Sequence, residues 1–545
     1  MSWKMFLDSI ELGEGGMLDG TILLNNITIA QGGAGHNGID INNVAATATV
    51  IGSNIVVDGS GDDGLDIDVV ASGAIFNFNN VNLINSGDEG LNVVLGDGSF
   101  TFSNLDISGS AEDGIQILGS GGTFMFDSAS SVAGSGEDAF YLEGLSPNVN
   151  FAGTINHSGA GQAVELIDLL DSTIIFGGSI TGNTGVEDAI LIDLVDDSSV
   201  VFNGLLDIDT TDGRGIGIYD SWDSTFSFNN GVAIDTTTGD GFFSGGNLGS
   251  TMSFNGGLSI STTSGGGFVG LDGGTFNVMA TAGDESITTE TGQAIVFGNF
   301  FNPDPQTINM AFDAIDVTVG TAVTAFTGGV ESIEIGRTSG TLSINGGSIA
   351  APAVAGISAI LVDNSTCGVF PCSGALTLNL SNVTATGTAD GGSGVDITGE
   401  SAAVPVTVNL VNTNVTGGSS AGNVGGGAGV RATNAIITLD ATSSAIGGAS
   451  SSGGGGAGIG GIGGDDAANG ENFGADVTVT STGTATGGMS TSGGGGAGIG
   501  GGGAGVGATT GGTAVGVVNS AVGTEAGGIG GANNGAAIGA GGDGS

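Results

Sequence analysis

Acidic residues fall into two adjacent columns when the chain is aligned on its internal repeat, and such columns could bind a divalent cation. The first column contains Asp62, Asp88, Glu112, Glu137 and Glu187. The second column contains Asp63, Glu89, Asp113, Asp138 and Asp188. If successive repeats stack ~4.8 Å apart, neighbouring carboxylates repel each other by ~1 kcal/mol per pair even in water. Ca²⁺ takes carboxylate, carbonyl and water oxygens as ligands and would relieve this repulsion.

Two interpretations of these columns therefore stay open: weak Ca²⁺ binding and a solvated acidic face. The candidate ligands for Ca²⁺ are Asp62, Asp63, Asp88, Glu89, Glu112, Asp113, Glu137 and Asp138. The Gly-Gly-x-Gly-x-Asp motif of calcium-binding proteins is not present as a tandem array of repeats, which weighs against a dedicated site. Gly161-Gln162 takes the place of an acid in both columns, and Arg214 takes the place of an acid in the second column.

Two further residue pairs could have a specific role. Tyr219 and Trp222 share one turn and are candidates for stacking on a glycan, with packing inside the turn as the alternative. Cys367 and Cys372 flank a short Pro-containing segment and are predicted to form a disulfide in an oxidising compartment, with two free thiols as the alternative.

Catalytic chemistry finds less support in the sequence. Lyases that act on uronates need Lys or Arg to hold the substrate carboxylate, and the chain has one Lys, Lys4. Glycosidases need an acid with a raised pKa near a second carboxylate. Adjacent acids such as Asp62-Asp63 supply two carboxyl groups, but solvated turn residues are the better interpretation of them. Both histidines, His36 and His157, are predicted to be turn or surface residues. We therefore expect no catalytic activity.

Charge and composition exclude several classes of partner. The 545-residue chain has 4 basic and 55 acidic residues and a net charge of −51. It lacks the cationic side chains that neutralise nucleic-acid phosphates or bind anionic membranes. No apolar run reaches the ~18 residues of a membrane span. A hydrophobic fraction of 39% nevertheless allows a buried core.

The elements that position these residues follow from a repeat of about 26 residues. A small residue followed by apolar–x–apolar recurs from Gly38-Ile39 and Gly64-Leu65 onwards, and an aromatic strand and a third apolar stretch recur with the same period. Three short strands per repeat, separated by Gly, Asn, Asp and Ser turns, leave no room for helices. The sequence therefore predicts an all-β parallel β-helix solenoid with three short strands per coil.

The alternation within the first strand predicts which residues are buried. One ladder of inward residues should contain Ile39, Leu65, Leu91, Ile115, Phe140, Val164, Ile190, Ile216, Phe242 and Phe268. A second should contain Ile41, Ile67, Val93, Ile117, Leu142, Leu166, Ile192 and Ile218. The residues between them should point to solvent, namely Asp40, Asp66, Asn92, Gln116 and Glu165.

Four segments are expected along the chain. Residues 1–30 form an N-terminal cap or truncated leader, and residues 31–300 a regular acidic β-helix. Residues 301–440 continue the β-helix with longer turns, and residues 441–545 form glycine-rich coils or a flexible tail. The predicted first-strand positions after residue 300 include Ile357, Val395, Val430, Ile459 and Ile499.

Two motifs carry a resemblance to a known group of proteins. Gly292-Gln293-Ala294-Ile295 and Phe226-Ser227-Phe228-Asn229 resemble the repeats of polymorphic outer-membrane proteins and of autotransporter or haemagglutinin-type passenger domains. This resemblance implies a right-handed β-helix displayed outside a bacterial cell and used for adhesion. We expect an extracellular adhesin or surface-fibre subunit, with self-association or cell-surface glycans as partners. A polysaccharide-active lyase or glycoside hydrolase is the alternative.

Overall fold

The chain folds as an all-β solenoid. A computed structural model describes residues 10–13, 15–30, 35–279, 285–298, 306–318, 331–365, 374–513, 517–521, 524–531 and 533–544. It is a right-handed parallel β-helix whose regular coils have about 26 residues, which confirms the predicted fold class. The described residues contain no helix, and thus no helix that could cross a membrane. Backbone contacts divide the chain into Met1–Ser259 and Ile260–Ser545.

Each coil of the N-terminal unit begins with a strand of the first sheet. These strands are Ile10–Leu12, Ile39–Val44, Leu65–Val70, Leu91–Gly96, Ile115–Leu118, Phe140–Glu143, Val164–Leu170, Ile190–Asp196, Ile216–Tyr219 and Phe242–Gly245. They pair in parallel, with Ile39 opposite Leu65 and Leu65 opposite Leu91. Every residue of both predicted inward ladders is fully buried, at 0% exposure. The predicted register of the first sheet is therefore confirmed.

The rest of each N-terminal coil forms two further faces. In the first four coils both faces lie on one bent strand, namely Thr21–Ala30, Thr49–Asp58, Ile75–Ile84 and Ser99–Ser108. In later coils the second face is Thr123–Phe126, Asn148–Phe151, Thr173–Phe176, Ser199–Phe202, Thr225–Phe228 and Thr251–Phe254. The third face is Ser131–Ala133, Thr154–His157, Ile180–Thr184, Leu206–Thr210, Val232–Thr236 and Leu258–Thr262, the last of which contains the boundary between the units.

Asparagine makes the bend in the long strands. Asn26, Asn54, Asn80 and Asn104 all adopt the left-handed conformation, with φ between 51° and 58°, which Asn tolerates better than most residues. Their side chains form a ladder, because each amide donates to the Asn carbonyl oxygen one coil earlier at 2.9–3.1 Å. The bend is therefore stabilised by contacts between coils as well as by local conformation.

Phenylalanine rings fill the interior of the second face. The ring centroids of Phe78 and Phe102 lie 5.3 Å apart with nearly parallel planes, and Phe202 and Phe228 stack in the same way at 5.1 Å. Aromatic pairs at this separation add ~0.5–1.5 kcal/mol to the free energy gained by burying their area. The 24–26-residue spacing of these phenylalanines thus corresponds to one ring per coil.

The C-terminal unit repeats the three faces with longer and less regular turns. Its first-face strands are Phe268–Leu271, Ile295–Gly298, Ile333–Gly336, Ile360–Asp363, Val395–Thr398, Val430–Thr433, Ile459–Gly460, Ile499–Gly500 and Ile538–Gly539. The second face is Thr275–Val278, Gln306–Phe312, Thr338–Ile344, Leu376–Ser381, Val406–Val411, Ala435–Leu439, Val477–Ser481 and Val517–Ala521. The third is Glu285–Thr289, Ala314–Val317, Gly347–Ala350, Val383–Thr386, Asn414–Thr416, Ser444–Ile446, Thr484–Thr486 and Thr524–Ala526.

One predicted strand position in this unit is wrong. Ile360, not Ile357, occupies the inward position and pairs with Ile333 and Val395. Ile357 lies in a turn and is only half-buried. The local sequence explains the shift, because Ala359-Ile360-Leu361-Val362 carries the small–apolar–x–apolar pattern and Gly356-Ile357-Ser358 does not complete it. The predicted positions Val395, Val430, Ile459 and Ile499 are confirmed.

Glycine backbone fills part of the interior in the last coils. The Gly456 N–H donates to the Gly448 carbonyl at 3.0 Å, and the Gly488 N–H donates to the Gly456 carbonyl at 2.7 Å. A Cβ atom on Gly456 would lie 2.0 Å from the backbone oxygen of Gly427. The segments approach one another at distances that only glycine permits. The described part of residues 441–545 therefore forms tightly packed coils.

Candidate acidic site on the turn before the first sheet

The two acidic columns lie on the turn that leads into the first sheet. The backbone N–H of Asp88 donates to the Asp62 carbonyl at 3.3 Å, and the Glu112 N–H donates to the Asp88 carbonyl at 3.2 Å. The first predicted column is thus stacked coil on coil. Its members fit the solvated interpretation: Asp62 and Asp88 are half-buried, and Glu112, Glu137 and Glu187 are exposed.

The second column is buried at four of its five positions, and Asp188 is half-buried. Asp63, Glu89, Asp113 and Asp138 are each less than a tenth exposed. The Asp63 carboxylate accepts the backbone N–H of Glu89 at 3.2 Å, and the Asp113 carboxylate accepts that of Asp138 at 2.9 Å. A solvated acidic face is therefore the wrong description of this column. These carboxylates accept backbone N–H groups of the next coil that would otherwise have no hydrogen-bond acceptor.

Burial changes the protonation of this column. Burial raises the pKa of Glu89 to about 9, and the neighbouring Asp63 carboxylate adds to the rise. It also raises the pKa of Asp113 to about 6, and that of Asp138 to about 8 with a further contribution from Glu165. Desolvation disfavours the charged form of a carboxyl group, and a nearby negative charge acts in the same direction.

Asp66 departs from the prediction that the outer residues of the first strand point to solvent. It is only 8% exposed, although Leu65 beside it is buried as the register requires. Asn37 from the preceding turn covers it and donates to its Oδ2 at 2.6 Å. Burial, followed by the charges of Asp68 and Asp63, raises the pKa of Asp66 to about 8. Asp40, Asn92, Gln116 and Glu165 are half-buried.

Three acids come close enough to hold a metal ion. Asp63, Asp88 and Glu89 each offer a carboxylate oxygen, and these oxygens lie within 4.8 Å of one another. Among the described residues, the other predicted ligands do not form such a group: Asp62, Glu112, Asp113, Glu137 and Asp138.

Neighbouring amides, which were not among the predicted site residues, complete the cluster. The Asn92 side chain donates to the Asp63 carboxylate at 3.2 Å, and Gln116 donates to both Glu89 and Asp113 at 3.1 and 3.0 Å. One sequence feature could have identified Asn92 and Gln116, because each lies three residues after an acid of the second column, on the outer face of the strand.

The columns change character where Gln162 and Arg214 replace acids. The Gln162 N–H donates to the Asp138 carboxylate at 2.6 Å, so the backbone contact continues without a charge. Arg214 forms ion pairs with Asp188 and Asp240 at 3.8 and 3.6 Å and lies over the Phe243 ring. The acidic columns therefore end in a neutralised segment.

Tyr219 and Trp222 have different environments. The Tyr219 ring packs 5.3 Å from Phe243, and its hydroxyl hydrogen-bonds Arg214 and Asp188. Trp222 is 52% exposed, and its indole N–H donates to the Gly246 carbonyl at 3.1 Å. Tyr219 therefore fits the turn-packing alternative, whereas the Trp222 ring is held in place with much of its surface open to solvent.

The histidine and cysteine predictions have separate outcomes. His36 is exposed, as predicted. His157 is fully buried, so its assignment to the surface is wrong, and its Nε2 lies 3.0 Å from the Gly161 carbonyl and accepts the Gly159 N–H. These contacts of His157 stabilise the turn that follows its strand. Cys367 and Cys372 lie outside the described residues, and their disulfide stays a prediction.

Replacing Asp138 with Asn should stabilise the protein in alkali and leave it unchanged in acid. The pKa of Asp138 rises from an ordinary value of 3.8 to about 8 in the fold. The stabilisation that the bound proton provides is therefore fully present below the ordinary pKa of 3.8, and it is lost as the pH rises through about 8. Asn mimics the protonated acid and still accepts the Gln162 N–H. Urea unfolding midpoints from about pH 4 to about pH 9 measure the difference.

Asp127→Asn is the control, with the opposite expected sign. Burial raises the pKa of Asp127, but hydrogen bonds from Asn104, Ser130 and Ala129 outweigh it, and the pKa is lowered. This variant should be less stable than the parent chain at neutral pH, with the difference vanishing in acid. A uniform loss of stability for Asp138→Asn at every pH would show that Asp138 is not a buried, protonated acid.

Comparison with protein-family models, curated proteins and solved structures finds no match to this chain.

Proposed function

We propose that the chain is an extracellular, non-catalytic β-helix that adheres to uncharged polymeric glycans. The observation that carries this proposal is the fixed and exposed ring of Trp222, set among aspartates on the turn after the first sheet. The resemblance of the repeats to bacterial surface passenger domains supports the same function and an extracellular location.

The surroundings of Trp222 have the chemistry of a sugar-binding site. Its backbone N–H donates to the Asp196 carboxylate at 2.7 Å, and Asp220 and Asp223 beside it are exposed. An apolar ring face packs against the C–H face of a sugar, while carboxylates accept hydrogen bonds from its hydroxyl groups. The site is therefore suited to one or a few sugar residues.

A polar row beside Trp222 would extend this contact along a polymer. Thr173, Ser199, Thr225 and Thr251 pair in register on the second face. Such rows repeat at ~4.8 Å, the distance between strands of a parallel sheet. Weak contacts repeated along a chain add up through multivalency. A polymeric glycan would gain more from this surface than a short one.

The charge of the protein restricts the glycan. At a net charge of −51, uronate-rich or sulfated polymers would be repelled. Only three arginines and one lysine could offset that repulsion. We therefore expect a neutral polysaccharide as the binding partner.

Trp222→Ala should weaken glycan binding about tenfold or more, a loss of ~1.4 kcal/mol. Affinity electrophoresis of the full chain in gels containing mannan, galactan or soluble β-glucan measures this. Leu205→Ala is the matched control, because Leu205 is 48% exposed and lies on a different turn. An equal effect of both substitutions, or no retardation by any neutral polymer, would contradict the proposal.

A polysaccharide-active enzyme is the second candidate, and one observation favours it. Asp138, whose pKa is about 8, shares a hydrogen bond with Glu165, whose pKa burial also raises. A protonated acid near a second carboxyl group is the pair that glycosidases use. Asp138 is only 7% exposed, however, and its carboxylate already accepts the Gln162 N–H. A structural role explains this pair without a substrate.

A further inference from the structure

We propose that one Ca²⁺ ion binds between two successive coils of the N-terminal unit, held by Asp63, Asp88 and Glu89. This site is narrower than the eight-residue array that the sequence predicts, and it is independent of the proposed glycan binding. The ion would join the turn before Leu65–Val70 to the turn before Leu91–Gly96.

The geometry of the three carboxylates fits a cation of this size. Their nearest oxygens lie within 4.8 Å of one another. Two oxygens bound to one Ca²⁺ at ~2.3–2.6 Å can be no more than about 5 Å apart. Asp63 and Glu89 are less than a tenth exposed and Asp88 is half-buried, so the ion would have one side open to water.

Unpartnered oxygens beside the cluster provide a second, independent observation. Asp66 is 8% exposed, and its Oδ1 has no hydrogen-bond partner, as is also true of Asn92 Oδ1. These two residues pair in register on adjacent strands. The Asn92 amide contacts the Asp63 carboxylate at 3.2 Å, which places that carboxylate over the same pair of strands. A buried carboxylate oxygen without a donor is costly unless a proton, a cation or water binds it.

The cluster also lacks a basic side chain nearby in the sequence. Asp63, Asp66, Asp88 and Glu89 are close together, and no Lys or Arg occurs between residues 5 and 213 of the sequence. The candidate ligand atoms of the three acids are all carboxylate oxygens, which disfavours metals that prefer sulfur or imidazole ligands. Ca²⁺ fits better than Mg²⁺, because it accepts irregular coordination by six to eight oxygens, whereas Mg²⁺ demands a near-ideal octahedron and keeps several waters.

Calcium binding to the full chain tests the site. After treatment with a chelator and dialysis, calorimetric titration with CaCl₂ should show one tight equivalent. Millimolar CaCl₂ should raise the thermal midpoint more than NaCl of equal ionic strength, since only a site-bound ion stabilises beyond screening. Equal shifts in both salts, or no heat of binding, would overturn the proposal.

Isosteric variants locate the ion. Asp63→Asn combined with Glu89→Gln should weaken calcium binding at least about tenfold. Asp209→Asn combined with Asp235→Asn is the matched control, because these exposed acids also stack in register on adjacent coils. It should bind calcium like the parent chain. Equal weakening in both double variants would mean diffuse attraction to an acidic surface.

A milder variant keeps the test decisive if the buried double variant fails to fold. Asp88→Asn changes only the half-buried ligand and should also lose the tight equivalent, while its circular dichroism matches the parent chain. Retention of that equivalent by a folded Asp88→Asn chain would overturn the assignment. Glycan retardation of the same variants should be unchanged, so failure of the calcium site and failure of the proposed adhesive function can be told apart.

Discussion

Replacing Ile190 with Asp should lower the free energy of unfolding by about 4 kcal/mol or more and open the coil around it. Ile190 is fully buried and stacks between Val164 and Ile216. The substitution removes ~2–3 kcal/mol of hydrophobic burial and places an unpaired charge in the core. Each coil is stabilised mainly by its neighbours, so the damage spreads to both sides. Urea unfolding measures the loss, and hydrogen exchange at the first-sheet strands locates it.

Leu194→Asp is the control for this substitution. Leu194 lies on the same strand but is 46% exposed and has a φ of 55°. The aligned positions of the neighbouring coils are Asp168 and Asp220, and both also have positive φ. Aspartate suits this conformation better than leucine does, so the change in stability should stay below about 1 kcal/mol. Equal effects of the two substitutions would refute the assigned register.

Gly456→Ala should destabilise the C-terminal unit by about 1–3 kcal/mol or more, although it adds a single methyl group. The new Cβ would lie 2.0 Å from the Gly427 carbonyl oxygen, an atom of the backbone that no rotamer change can move. Relief would require separating segments that the Gly456 and Gly488 N–H groups join. Thermal and urea unfolding of the full chain measure the effect.

The control is Gly422→Ala, on an exposed turn of the same unit. The nearest atom to its added Cβ is the Ser420 hydroxyl at 4.0 Å. The substitution should leave stability unchanged or raise it by up to ~1 kcal/mol, because alanine restricts the unfolded chain. If Gly456→Ala were equally harmless, the glycine-rich coils could not be packed as closely as the structure places them.

The first sheet could be predicted from sequence because its signal is strictly periodic. Ile39, Leu65 and Leu91 recur with the coil, and a slip of one residue would turn Asp40 and Asp66 into the hydrophobic core in place of isoleucine and leucine. The prediction fails at Ile357, because the complete small–apolar–x–apolar pattern lies at Ala359-Ile360-Leu361-Val362 and places the inward residue at Ile360.

The acidic site was only partly predictable. The repeat places Asp63 and Glu89 in one column, but it does not show that the column is buried, because burial depends on neighbours such as Asn37 and Asn92, which hydrogen-bond Asp63 from adjacent coils. His157 was misassigned for a similar reason. A histidine in a polar turn resembles a surface residue, and only the fold brings it against the Gly161 carbonyl.

The packing of the glycine-rich coils has no sequence signal of the usual kind. Glycine lacks the side chain that defines an inward face, so the alternation that identifies Ile190 or Phe228 is missing from Gly453–Gly456. The same sequence is typical of flexible linkers. What distinguishes the two outcomes is the backbone hydrogen bonding between neighbouring glycine segments.

The most direct test of the proposed function is incubation of the full chain with neutral polysaccharides, with retention and polymer length measured in the same sample. A non-catalytic adhesin should retard on at least one polymer through Trp222 and leave the length distribution of that polymer unchanged, as judged by size-exclusion chromatography and by reducing-end release. Shortening of the polymer that disappears in Asp138→Asn would contradict this account and identify the buried Asp138–Glu165 pair as catalytic.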